Sequence, residues 1–66
     1  MKEEWTGVLV GRMHNADVTL EDLGNELGYN KSYVSMILNG TRTPTGAKEK
    51  LEEAFEAILA RRGQEG

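Results

Sequence analysis

Apolar residues recur with helical spacing in four separated stretches of the chain, and no stretch predicts a strand. Trp5, Val8, Leu9 and Met13 stand at i, i+3, i+4 and i+8, which predicts a first helix from about Glu3 to Met13 with one apolar face. Gly7 and Gly11 each weaken that helix by about 1 kcal/mol relative to alanine. Their spacing predicts close packing of another helix against it. Asn15-Ala16-Asp17-Val18 reads as a loop. Thr19 then begins a second helix as its N-cap, with Asp22 three positions on in a variant of the capping box. Glu21 and Asp22 sit where the helix dipole favours negative charge. Leu20, Leu23 and Leu27 supply the apolar stripe, and Gly28 suits the left-handed residue that ends a helix.

Asn30 is the predicted N-cap of a third helix, running from about Lys31 to Asn39. Val34, Ile37 and Leu38 are its apolar face, Tyr33 lies on the flank, and Gly40 ends it. Thr41-Arg42-Thr43 is a loop. Pro44 fixes the entry to helix four, capped either by Thr43 with Pro44 in the first turn or by Thr45 after the proline. That helix is predicted from about Thr45 to Arg62. Ala47, Leu51, Ala54, Phe55, Ile58 and Leu59 form one face, and Glu49, Glu52, Glu53 and Glu56 the other. Arg61 and Arg62 suit its negative end, Gly63 stops it, and Gln64-Glu65-Gly66 is expected to fray. The expectation is one all-α domain over residues 1–66, with four helices, or five if a short extra turn is counted.

At 66 residues the chain is near the lower limit for a fold held by an apolar core alone. It has no cysteine and one histidine, His14, so disulfides and thiolate metal sites are excluded. No metal or cofactor is expected. No apolar run approaches the ~20 residues of a membrane span, and Met1-Lys2-Glu3-Glu4-Trp5 lacks the order of a signal peptide. The triplets Asn30-Lys31-Ser32 and Asn39-Gly40-Thr41 are therefore read as unmodified, and the expected location is the cytoplasm, at the nucleoid when bound to DNA. The net charge of −3 argues mildly against nucleic acid. Its distribution argues the other way. From Leu27 to Lys48 the basic residues are Lys31, Arg42 and Lys48, and every carboxylate lies outside that window.

The stretch Thr19 to Pro44, TLEDLGNELGYNKSYVSMILNGTRTP, has two short helices joined by a glycine-containing turn, as a helix-turn-helix requires. Gly24 is the small residue where the helices cross, Gly28 opens the turn, and Tyr29 plugs the angle. Val34 and Ile37 face back onto Leu23 and Leu27. In these residues the chain resembles the lambda-repressor and Cro type of helix-turn-helix regulator. The family's leucine–alanine pair is matched by Leu23-Gly24, its leucine–glycine turn by Leu27-Gly28, and its helix-three end by Leu38-Asn39-Gly40-Thr41-Arg42-Thr43-Pro44. Two departures stand out. Leu20 occupies a position where the family often has glutamine, and a fifth, dimerising helix has no room.

The resemblance implies double-stranded DNA as the partner, with the third helix in the major groove. Base contacts then fall to Lys31, Ser32, Ser35 and Met36. Lys31 would donate to guanine, and Met36 would meet a thymine methyl. Phosphate contacts fall to Thr19, Asn30, Tyr33, Asn39, Thr41 and Arg42. Thr19 and Asn30 would double as helix caps. The implied activity is that of a phage, plasmid or bacterial repressor, not an enzyme. Lys31 with Ser32 or Ser35 has no orienting partner to make a nucleophile–base pair. The alternative is a protein-docking module with the same fold, favoured by the acidic total and the glutamates of helix four. Ala57, Ala60 and Ile58 on helix four are the apolar material for a weak homodimer or a dimer formed on DNA.

Overall fold

A computed structural model describes residues 4–65, with side chains through 63. Four helices form, Glu4–Ala16 (α1), Leu20–Leu27 (α2), Lys31–Leu38 (α3) and Ala47–Glu65 (α4), and there is no strand among the described residues. The predicted start at Glu3 and the predicted fraying at Gly66 lie outside them.

The middle helices begin and end where local chemistry dictates. Thr19 accepts a hydrogen bond from the Asp22 N–H at 3.1 Å, while the Asp22 carboxylate accepts from the Thr19 N–H at 2.9 Å. This reciprocal pair satisfies two otherwise open helix donors. Asn30 Oδ1 accepts from the Tyr33 N–H at 2.8 Å at the start of α3. Gly28 ends α2 at φ 78°, and Gly40 follows α3 at φ 88°, both left-handed.

The core gathers Leu9 and Met13 of α1, Leu23 of α2, Val34, Ile37 and Leu38 of α3, and Leu51, Ala54, Phe55 and Ile58 of α4. Complete burial of a leucine or phenylalanine stabilises by about 1.5–3 kcal/mol. Leu9, Leu23, Val34, Leu51 and Phe55 are all at 1 % exposure or less. No fully buried side-chain nitrogen or oxygen among the described residues lacks a hydrogen-bond partner.

The structure departs from the sequence expectations at both ends of the chain. Helix α1 continues three residues past Met13, through Ala16, and closes on Asp17 at φ 57°. Val18 N–H donates to Met13 O at 2.9 Å and Asp17 N–H to His14 O at 3.3 Å. That is the double closure usually built on glycine, with an aspartate in the glycine position. Val18, expected in a loop, is thereby carried into the core at 5 % exposure.

The buried face of α1 is also rotated from the one expected. Thr6 is buried with Leu9 and Met13, while Val8 is 62 % exposed. Gly7 and Gly11 pack against nothing. Beyond its own stretch of helix, a Cβ added at either would meet no atom within 4 Å.

Helix α4 begins at Ala47, after neither predicted cap. Gly46, at φ 76°, precedes it, and its carbonyl accepts the Lys50 N–H at 3.0 Å. A left-handed residue cannot lie inside a right-handed helix, so Thr45 and Gly46 form a turn and the glycine takes the cap position. Gly63 does not stop α4, which runs to Glu65 and includes Gln64. The long preceding helix carries the glycine along at a cost of about 1 kcal/mol.

Three arginines clasp the helices together. Arg12 of α1 pairs with Glu56 of α4 at 2.6 Å, its guanidinium 4.7 Å from the Phe55 ring centre. Arg61 of α4 pairs with Glu26 of α2 at 2.6 Å. Arg62 donates to the carbonyls of Ala16 at 2.7 Å and Asp17 at 3.1 Å, and to the Asp22 carboxylate at 3.4 Å. The sequence assigned Arg61 and Arg62 to their own helix end. Instead they cover open carbonyls at the end of α1 and a carboxylate at the start of α2.

Candidate nucleic-acid interface

Helix α3 is short and presents two unlike faces. Val34, Ile37 and Leu38 are buried, which at 100° per residue turns Ser32 and Met36 outward, with Ser35 and Asn39 beside them. Lys31 and Ser32 are exposed at its first turn, and Ser35 and Met36 are half-buried one turn on. All four predicted base-contacting residues are therefore reachable from one side, with Lys31 at the margin.

The turn before α3 is built by close backbone approach. A Cβ at Gly24 would stand 2.6 Å from the Tyr29 carbonyl oxygen, so the smallness of this residue serves the turn itself. Gly24 O accepts the Tyr29 N–H at 2.9 Å. The Tyr29 ring meets Tyr33 edge-on, with centres 4.9 Å apart at 89°. This packing fixes Tyr33, a predicted phosphate contact, on the flank of α3.

The other predicted phosphate contacts divide by how their polar atoms are already used. Thr19 and Asn30 are exposed caps, and in each it is the oxygen that is spent. The Thr19 hydroxyl hydrogen and the Asn30 amide nitrogen remain to donate. Asn39 Oδ1 accepts from both the N–H (3.0 Å) and the hydroxyl (2.6 Å) of Thr41. That leaves the Asn39 amide nitrogen as a donor and commits the Thr41 hydroxyl inside the turn. Arg42 is exposed, and its own N–H is tied to Met36 O at 3.1 Å, which folds the loop back beside α3.

Charge is sorted across the molecule. Arg12, Arg61 and Arg62 are engaged with carboxylates on α4 and α2. Lys31, Arg42, Lys48 and Lys50 are exposed and make no ion pair with any described residue. The Asp22 carboxyl is held below its ordinary range, first by the Thr19 N–H, then by the Thr19 side chain and Arg62, against an opposing push from burial. Position Leu20, where the resembling family often carries glutamine, is half-buried against the core.

Among the described residues no group of histidine, cysteine or carboxylate side chains is placed to hold a metal ion. Nor is any described helix long and apolar enough to cross a membrane. Compared with known proteins, the chain matches no family model, no curated protein and no solved structure.

Proposed function

We propose that this chain is a sequence-specific binder of double-stranded DNA, a regulator of the lambda-repressor and Cro helix-turn-helix type, with α3 entering the major groove. The observation that carries this reading is the state of the cations. Arg12, Arg61 and Arg62 are held in intramolecular pairs, whereas Lys31, Arg42 and Lys48, with Lys50 just beyond them, stand exposed with no ion pair to a described residue. An unpaired cation keeps its full attraction for phosphate, and each phosphate it neutralises releases condensed counterions. Lys31 and Ser32, at the exposed first turn of α3, read base edges. Asn30, Thr19 and Arg42 position the domain through phosphates. Met36 lays an apolar surface where a thymine methyl can sit.

Selection from a random duplex pool, followed by titration across salt, tests the proposal. The logarithm of the binding constant should fall with that of salt at a slope of about −0.9 per phosphate contacted. Lys31→Ala should change which sequences are selected, and Arg42→Ala should weaken all of them about equally. No binding to any duplex at low salt would sink the proposal and leave the protein-docking reading in its place.

A further inference from the structure

We infer that Arg62, in the last turn of α4, is a positioning residue for DNA binding: it pins the corner before α2 and neutralises the carboxylate fixed beside Thr19, which lets a phosphate settle there. The inference rests on the DNA-binding reading and extends it to a residue that touches no DNA.

Thr19 belongs with the reading helix in space. It is exposed and borders the same groove as Ser35 and Asn39 of α3. A duplex seated on α3 therefore carries its backbone past the start of α2. The same spot holds negative charge. Asp22 Oδ2 accepts the Thr19 N–H at 2.9 Å, and the Asp22 N–H donates to the Thr19 hydroxyl oxygen at 3.1 Å. The cap that starts the helix thus fixes a carboxylate next to a predicted phosphate contact. Glu21 is exposed and makes no ion pair with a described residue, so it can turn into solvent. Asp22 has no such freedom, because leaving Thr19 means giving up the cap.

Arg62 answers that charge. Its Nη2 reaches the same Oδ2 at 3.4 Å, while Nη1 donates to the Ala16 and Asp17 carbonyls at 2.7 Å and 3.1 Å. One planar fork so joins the end of α1, the left-handed Asp17 and the first turn of α2. A neutral donor would serve the two carbonyls. The contact with Asp22 is the one that calls for a cation.

Without Arg62 the Asp22 charge stands uncompensated where the phosphate must come. Even at the dielectric constant of water, a like charge about 6 Å away lowers affinity roughly threefold. The pair Arg12–Glu56 supplies the contrast, because it joins α1 to α4 and neither residue borders the groove of Thr19, Ser35 and Asn39. The side chains of Arg62 and Asp22 are 42 % and 37 % exposed, so breaking their pair costs the fold little.

Titrations of the full chain and its variants against one duplex selected by the parent test this, at low salt and at a temperature where circular dichroism shows every variant folded. Arg62→Gln should weaken binding at least about threefold, and the loss should shrink as salt screens it. Adding Asp22→Asn to Arg62→Gln should restore most of the affinity, since the amide oxygen still accepts the Thr19 N–H and the charge is gone. Arg12→Gln, an equal loss of charge away from the groove, should bind like the parent. Arg62→Lys separates charge from stability. It keeps the cation and gives up the fork, so it should melt with Arg62→Gln yet bind close to the parent. The inference alone is overturned if the parent binds and Arg62→Gln matches it, or if Asp22→Asn fails to restore binding. It is equally overturned if affinity across the four variants follows melting temperature in place of charge at this corner. A parent chain that binds no duplex overturns the inference together with the DNA reading.

Discussion

Gly24 and Gly28 lie one helical turn apart, and each excludes a side chain for its own reason. At Gly28 the obstacle is backbone conformation, φ 78° with open space around the missing Cβ. Gly28→Ala should cost about 1 kcal/mol and Gly28→Val more, since a β-branched residue resists positive φ. At Gly24 the conformation is helical and the obstacle is the Tyr29 carbonyl, 2.6 Å from where a Cβ would be. A mid-helix glycine-to-alanine change normally stabilises by about 1 kcal/mol. Gly24→Ala should instead destabilise by about 1–3 kcal/mol, as an overpacked site does. Chemical denaturation of both variants checks the two mechanisms, and a stabilised Gly24→Ala would show that the turn gives way freely. Asp22 supplies a pH test. Its folded pKa is depressed by the Thr19 N–H and then by the Thr19 side chain and Arg62, so its contribution is present above the unfolded value of 3.8 and lost as pH falls through the lower folded value. Asp22→Asn should flatten the stability profile in that acid range, measured by thermal melts at stepped pH. These caps were legible in the sequence because a cap is a short-range event, settled by residues within one turn of each other.

Helix ends settled by distant contacts were not legible. The end of α1 rests on an aspartate in a left-handed conformation, supported by an arginine at position 62 bonding to the Ala16 and Asp17 carbonyls. Aspartate and asparagine both tolerate that conformation, and nothing local selects Asp17 over Asn15 for the role. The face of α1 was misjudged for a related reason. Trp5, Val8, Leu9 and Met13 make an acceptable apolar stripe, yet Thr6 is buried and Val8 is not. Gly46 and Gly63 exchanged roles with expectation, the first lying outside α4 and the second within it. That exchange is testable at the level of the helix. Gly63 has no positive φ, and a Cβ there would meet nothing within 4 Å. Gly63→Ala should therefore raise stability by about 0.5–1 kcal/mol and add helicity. Circular dichroism and a thermal melt measure both, and an unchanged helical signal would mean that the last turn contributes little.

For the molecule as a whole, the arrangement of charge matters more than its sum. A net charge of −3 is spread so that no carboxylate lies on α3 or in the loop after it, where Lys31 and Arg42 stand, while most carboxylates lie on α2 and α4. Part of this was visible in the sequence, where no acidic residue falls between Leu27 and Lys48. What was not visible is that Arg12, Arg61 and Arg62 are engaged elsewhere, because their partners are 44, 35 and 40 positions away in the chain. A direct comparison follows from this sorting. Arg42→Gln should weaken duplex binding several-fold at low salt, by roughly the release of one counterion. Arg12→Gln, which removes an equal charge already satisfied by Glu56, should change it little. Binding titrations of the two variants side by side make the measurement. Equal losses would mean that net charge alone, and not the α3 face, governs attraction to DNA.

The Arg62 clasp also dictates when, during synthesis, the chain can become whole. Its guanidinium closes on Ala16 and Asp17, which precede it by 46 and 45 positions. At about 5–20 residues per second, a ribosome takes roughly 2–9 s to cover that interval. Within that interval α2 and α3 are made before Leu51 and Phe55 are available to cover their apolar faces and that of α1. A nascent chain of this protein therefore cannot close its core before α4 is made. Its first opportunity to hide Leu9, Leu23 and Val34 comes only with the final helix.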